Sequence, residues 1–300
     1  MVGSTARYDS LILLPRVRAF HFNGPPPKDI CSVKYLQSNN FDEVISAVLA
    51  NAQRGDFSHF SRLVDVMQKT DDGVVWGRCC ELFAHAAPFS ALHDLIDAYS
   101  ELLFKSDDIV TQQWICELLC LSGALWSIPE VLKIFRMNKQ RDQYYSVPRY
   151  LSFLLEADRK EISEGPPIVP RTDTLPEWFD VPIVYDDDTF ERIVLERYEI
   201  LCSQTIDINR TAIWEGELLS MKQIAKNAHI RINMGQDIEE IAIARALLEA
   251  TTGEDLSAFY KDALLRPLSA SACVETLFET CILDTFEPGT RYFFGRKIPD

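Results

Sequence analysis

One apolar pattern occurs twice, 36 residues apart, and it restricts the fold more than any other feature of the chain. Cys80, Phe83, Ala84 and Ala87 form one stripe, followed by Leu92, Leu95, Ile96 and Tyr99. Cys116, Leu119, Cys120 and Gly123 repeat the first, and Ile128, Val131, Leu132 and Phe135 repeat the second. Each set has the i, i+3, i+4, i+7 spacing of one helix face. A pair of amphipathic helices cannot bury its apolar face alone, so a recurrence of this length predicts helical hairpins stacked in series, an α-solenoid. The equivalent first-helix positions are Val44, Cys80, Cys116 and Leu151, spaced 36, 36 and 35 residues apart.

Local signals agree with that register. Val44, Ala47 and Val48 mark one helix, and Phe60, Leu63, Val64 and Met67 mark the next, with Gly55 between them and Asp56 as the expected N-cap. Ser127-Ile-Pro-Glu130 combines a cap hydroxyl, an early proline and an acid three residues after the cap. Asp71-Asp-Gly73 and Ser106-Asp-Asp108 fall where turns should lie. Upstream, Arg16 to Phe22 alternates weakly, as an edge strand or an extended arm would, before Pro25–Pro27 interrupts it. Residues 1–34 are therefore read as an irregular N-terminal segment and 35–160 as the helical repeat region.

The pattern stops after Glu161. Five of the 15 prolines fall within 17 residues, from Pro166 to Pro182, together with Trp178, Phe179 and Tyr185 just after. Residues 161–185 are predicted to be a Pro-rich strap rather than a helix. Residues 186–300 return to helix. Asp186, Asp187 and Asp188 open an element running to about Ser203, and a second is expected from Thr211 to Ala228 with Trp214, Leu218, Met221 and Ala225 on one face. Gly235 and the capping box Asp237-Ile-Glu-Glu240 separate it from a helix ending near Thr251. Leu256, Phe259, Tyr260 and Ala263 suggest another stripe, and Val274, Leu277, Phe278 and Cys281 the last. Tyr292-Phe-Phe294 reads as an aromatic tail docked in a groove. The expected fold class is all-α: helical hairpins in two halves joined by the strap.

Reactive constellations are scarce. No histidine belongs to a metal-ligand motif such as HExxH, and neither a nucleophile elbow nor a glycine-rich phosphate loop is present. Six of the eight cysteines (Cys79, Cys80, Cys116, Cys120, Cys273 and Cys281) lie in or beside apolar stripes, where a thiol acts as a small hydrophobe, and a chain this long needs no disulfide staples. A reducing, cytoplasmic setting is expected, with no membrane span, no cofactor and no metal. The basic stretch Lys133, Arg136, Lys139, Arg141 and Arg149, with Tyr144 and Tyr145, reads as a solvated connection rather than a nucleic-acid footprint.

Charge is the remaining signal. The net charge is −15, and residues 161–300 hold 26 acids against 13 bases. Such a field repels nucleic acid and anionic lipid and draws in a basic partner. Asp186, Asp187, Asp188, Glu191, Glu215, Glu217, Glu239 and Glu240 gather at the openings of expected helices, with Trp214 and Trp178 as candidate aromatic anchors. They form the expected partner-binding surface.

The 36-residue hairpins resemble HEAT-like and other α-solenoid repeats over about residues 41–158. Thr252-Gly-Glu-Asp-Leu-Ser-Ala-Phe259 and Gly289-Thr-Arg-Tyr-Phe-Phe-Gly295, with the acidity and size of the chain, look like bacterial immunity proteins, the cytosolic antidotes of polymorphic or contact-dependent toxins. That resemblance implies a non-enzymatic inhibitor of a toxin domain, most simply a basic nuclease, and carries no residue role with it. The alternatives are a solenoid scaffold for a protein partner and a hydrolase whose site is not visible in sequence.

Overall fold

A computed structural model describes residues 28–105, 108–137, 146–155, 187–234 and 239–299. The expected strap, Trp178, Asp186, Gly235, Asp237, nearly all of the N-terminal segment and the heart of the basic stretch lie outside these residues. What is described is mostly helical, as expected, and divides into two compact units. The division does not follow the two halves of the chain. One unit combines residues 1–98 with 219–300, and the other is residues 99–218.

The discontinuous unit contains α1 (Val33–Leu36), α2 (Phe41–Gln53), α3 (Ser61–Lys69), α4 (Gly73–Ala86) and α5 (Phe89–Ala98). The second unit holds α6 (Ser100–Lys105), α7 (Ile109–Leu121), α8 (Ser127–Met137), α9 (Ser146–Leu155) and α10 (Asp187–Ser203). The first resumes with α11 (Met221–Asn233), α12 (Glu239–Thr252) and α13 (Pro267–Glu279). Sequence chemistry sets the helix starts. Asn40, Asp72, Asp108 and Ser220 each accept a backbone N–H from the first turn of α2, α4, α7 and α11, and Pro267 opens α13 without needing a donor. Asp56 does not cap α3; it turns the chain earlier by accepting from the Ser58 N–H and hydroxyl. Ser127 also departs from its expected role, because its hydroxyl donates to Ala124 O at 2.7 Å.

Val44, Cys80, Cys116 and Leu151 are all buried, in α2, α4, α7 and α9. Within the first unit α2 packs on α3 and α4, and α3 on α5; within the second, α7 packs on α8 and α9. Phe60 and Phe83 meet edge to face at 5.5 Å between centroids. From Ile241 to Thr252 every residue of α12 is buried, against α11, α4 and a C-terminal strand. Arg245 and Glu249, one turn apart on this helix, form an ion pair at 2.7 Å in the interior.

Three two-stranded β-hairpins lie among the described residues, two of them where the apolar spacing predicts helix and the third where an aromatic tail is expected. They are β1–β2 (Ile213–Trp214 and Glu217–Leu218), β3–β4 (Tyr260–Lys261 and Leu264–Leu265) and β5–β6 (Tyr292–Phe293 and Arg296–Lys297). The expected helix from Thr211 therefore begins only at Met221, and the stripe from Leu256 to Ala263 is a short 3-10 turn running into a strand. Cys281 lies beyond the end of α13, at φ 56°. All three hairpins have two-residue turns with positive φ at both central residues, the type I′ requirement: Glu215 and Gly216, Asp262 and Ala263, Phe294 and Gly295.

Two of these turns finish helices. The N–H groups of Glu215 and Gly216 donate to Phe153 O and Leu154 O at the end of α9, at 3.1 and 3.0 Å. Those of Phe294 and Gly295 donate to Ala250 O and Thr251 O at the end of α12, both at 2.7 Å. A helix cannot satisfy its own last carbonyls, so the hairpins supply the missing donors. Close approach requires glycine just past two helix ends. A Cβ on Gly253 would lie 2.9 Å from Phe294 Cδ1, and one on Gly123 2.9 Å from Ile213 O. Arg291 extends the device, its guanidinium donating to Ala87 O at 2.6 Å and Ala84 O at 2.7 Å at the end of α4. The expected aromatic tail is thus a strand pair anchored on two helix ends.

Candidate functional site

The residues expected to form one acidic rim fall in both units. Glu191, Trp214, Glu215 and Glu217 belong to the second unit, with the backbone of Asp187 and Asp188 in the first turn of α10. Glu239 and Glu240 occupy the first turn of α12 in the other, both half-buried.

Trp214 is not an exposed anchor. The residue is 8% exposed and belongs to the core, where strand β1 packs on α9. Glu191 is engaged as well: its carboxylate accepts from Arg136 Nε at 2.6 Å, tying α10 to α8 beside the Phe135–Phe190 ring contact. Glu215 is half-buried at the β1–β2 turn with its N–H held by α9, while Glu217 is exposed.

A neighbouring feature was missed in the sequence. The end of α10 exposes Glu199 and Ile200, and the loop after it exposes Ile206 and Asp207. Ile206 is fully exposed, and the loop that presents it is pinned. The Thr205 and Thr211 hydroxyls are hydrogen-bonded, and Thr211 Oγ1 also donates to Asp207 O at 2.6 Å. Thr211 leads directly into β1, so the loop, the hairpin and its acids are continuous. Between the end of α10 and β2, Glu199, Ile200, Ile206, Asp207 and Glu217 are exposed, with Asp207 3.5 Å from Arg210 Nε. The available signal was Ile206 lying between Thr205 and Asp207, off any stripe.

The thiols of the helical repeat are buried away from any nucleophilic role. All eight cysteines are free. Burial pushes the Cys79 thiol up to about 12 and raises Cys116 and Cys120 further, so these three stay protonated and pack as hydrophobes. Burial, then the nearby Arg291 charge, lowers His85 to about 3 and keeps its imidazole neutral. His59 lies 3.1 Å from Asp56, and His229 lies 4.0 Å from Glu275 at a helix surface. Among the described residues no three His, Cys, Asp or Glu side chains gather as a metal site, and no helix is long and apolar enough to cross a membrane.

A comparison with protein-family models finds no match, and neither curated proteins nor solved structures match the chain.

Proposed function

We propose that the protein is a cytoplasmic, non-enzymatic binding protein of the bacterial immunity type, which neutralises a basic toxin domain through an acidic surface. The observation that carries this reading is the exposure of two isoleucines, Ile200 and Ile206, in the same stretch of the second unit as the exposed acids Glu199, Asp207 and Glu217. An apolar centre provides desolvation on binding, and surrounding carboxylates steer a cationic partner. Glu215 and Glu217 lie on a turn held by α9, so they are presented without the entropy cost of a free loop. The charge surplus of residues 161–300 works in the same direction at longer range.

The helices are read as a HEAT-like solenoid that supports this surface. Supporting it, first helices of successive hairpins pack on each other within each unit, α2 on α4 and α7 on α9, at the positions of the 36-residue recurrence.

The test is association with the toxic domain encoded by a neighbouring reading frame, followed from low to high salt. A charge-steered pair loses on the order of tenfold or more in association rate as the Debye length falls from about 30 Å to about 8 Å. Glu215→Lys with Glu217→Lys slows association further, and Ile206→Ser speeds dissociation. Association that ignores salt and both acid reversals overturns the acidic-surface reading. Turnover of a substrate, abolished by one point mutation, overturns the non-enzymatic one.

A further inference from the structure

Hairpin β3–β4 is built like the two that finish helices, but its turn faces solvent. Lys261 pairs with Leu264 across it, as Trp214 pairs with Glu217 and Phe293 with Arg296. Its central residues, Asp262 at φ 52° and Ala263 at φ 61°, match the seated turns. The strand ladder uses neither central N–H group, so the turn offers two adjacent donors. In both seated hairpins those donors meet the carbonyls two residues and one residue before the last described residue of the helix, Leu155 or Thr252. No helix end among the described residues takes the N–H groups of Asp262 and Ala263.

The surrounding side chains suit the same kind of seat. Lys261 and Arg266 are exposed on either side of the turn and complement the negative end of a helix dipole. Arg291 beside β5 already serves a helix end in that way. Asp262 takes the position that Glu215 holds in β1–β2, so an acid there is compatible with a seated turn. Leu264 is 67% exposed and Leu268 89%, an apolar flank with nothing described upon it. The Ser271 hydroxyl donates to Asn233 Oδ1 at 3.3 Å, which brings the start of α13 to the end of α11, where Met234 is also exposed.

We propose that the β3–β4 hairpin, with Lys261, Leu264, Arg266 and Leu268, docks the C-terminal turn of an α-helix on a partner protein. That helix end has open carbonyl oxygens, apolar residues in its last turn and no basic residue among them. The surface is chemically unlike the acidic one and does not depend on it.

The experiment uses the full chain, isotopically labelled, and a hydrocarbon-stapled Ala/Leu/Glu helix of about 14 residues as the probe. A second probe ends in a glycine C-cap that occupies its own terminal carbonyls. The open-ended probe shifts the amide resonances of Asp262 and Ala263 and the methyls of Leu264 and Leu268. The capped probe binds about tenfold more weakly, as does the open one to Leu264→Ser with Leu268→Ser. Both serines replace exposed side chains, so the fold is retained. Unchanged Asp262 and Ala263 amides at millimolar probe overturn the proposal, as does equal response to the two probes. Shifts at these positions on raising the protein concentration alone assign the face to a second copy and overturn the partner.

Discussion

Arg291→Met tests whether the C-terminal hairpin is structural or a loose appendage. Arg291 is buried, donates to Ala84 O and Ala87 O, and lies 5.1 Å over the Phe89 ring. Methionine keeps much of the aliphatic stem and removes both donors. Hydrogen bonds from a charged group contribute about 1.5–3 kcal/mol each, so their loss costs roughly 3–6 kcal/mol. Releasing the guanidinium from its desolvated position returns part of that, leaving a net loss of about 2–4 kcal/mol. The fall is read from urea denaturation followed by circular dichroism, with Arg296→Met, on an exposed residue of the same hairpin, as the control within about 0.5 kcal/mol of native. Amide exchange at Phe294 and Gly295, whose N–H groups hold α12, should accelerate in Arg291→Met. A variant as stable as the control, with unchanged protection at those two amides, refutes the argument that this arginine completes α4 and anchors the hairpin.

The same neighbourhood sets a pH dependence. His85 is neutral in the fold with its value lowered to about 3, so stability is level above about pH 6.5 and falls below it as the unfolded chain takes up a proton. Between pH 7 and pH 5 the loss from this group is about 2 kcal/mol, and it should be missing from His85→Gln when the two denaturation series are compared. Gly253→Ala forces a Cβ into a left-handed position against the Phe294 ring and should lower stability by about 1–3 kcal/mol in the same urea assay. Leu119→Ala empties a fully buried position in α7 and should cost about 2–5 kcal/mol, leaving association through the acidic surface unchanged.

Helices were legible because their signal is local. Cys80, Phe83, Ala84 and Ala87 are buried together on the end of α4, as spacing alone predicts. Hairpins were hidden by the same rule. Trp214, Leu218, Met221 and Ala225 happen to match a helical stripe, yet the first two are in strands and the last two in α11. Asn-Gly at a turn would have betrayed them, but Glu215, Asp262 and Phe294 occupy the first positive-φ position instead. Glycine follows in only two of the three turns. The hairpins are also spaced unevenly along the chain, so a search for a fixed period passes over them. Acidity could be counted from sequence, but its availability could not. Glu191 is engaged by an arginine 55 residues away, whereas Glu217 faces water because the turn beside it is held by α9.

The hairpins also change which part of the chain supports which. In the first unit, α12 and β5 pack against α4, and Arg291 completes that helix from more than 200 residues away. The recurrence around Cys80 therefore does not stand alone as a platform for the later helices; its own helix end requires a donor from the C-terminal hairpin. A buried carbonyl without a donor costs about 1–3 kcal/mol, and α4, α9 and α12 each have two carbonyls near their ends satisfied from a hairpin. The energetic unit of this fold is thus a helix together with the hairpin that completes it. Destabilising β5–β6 should loosen α4 and α12 together, a coupling that neither the repeat period nor the charge pattern would have suggested.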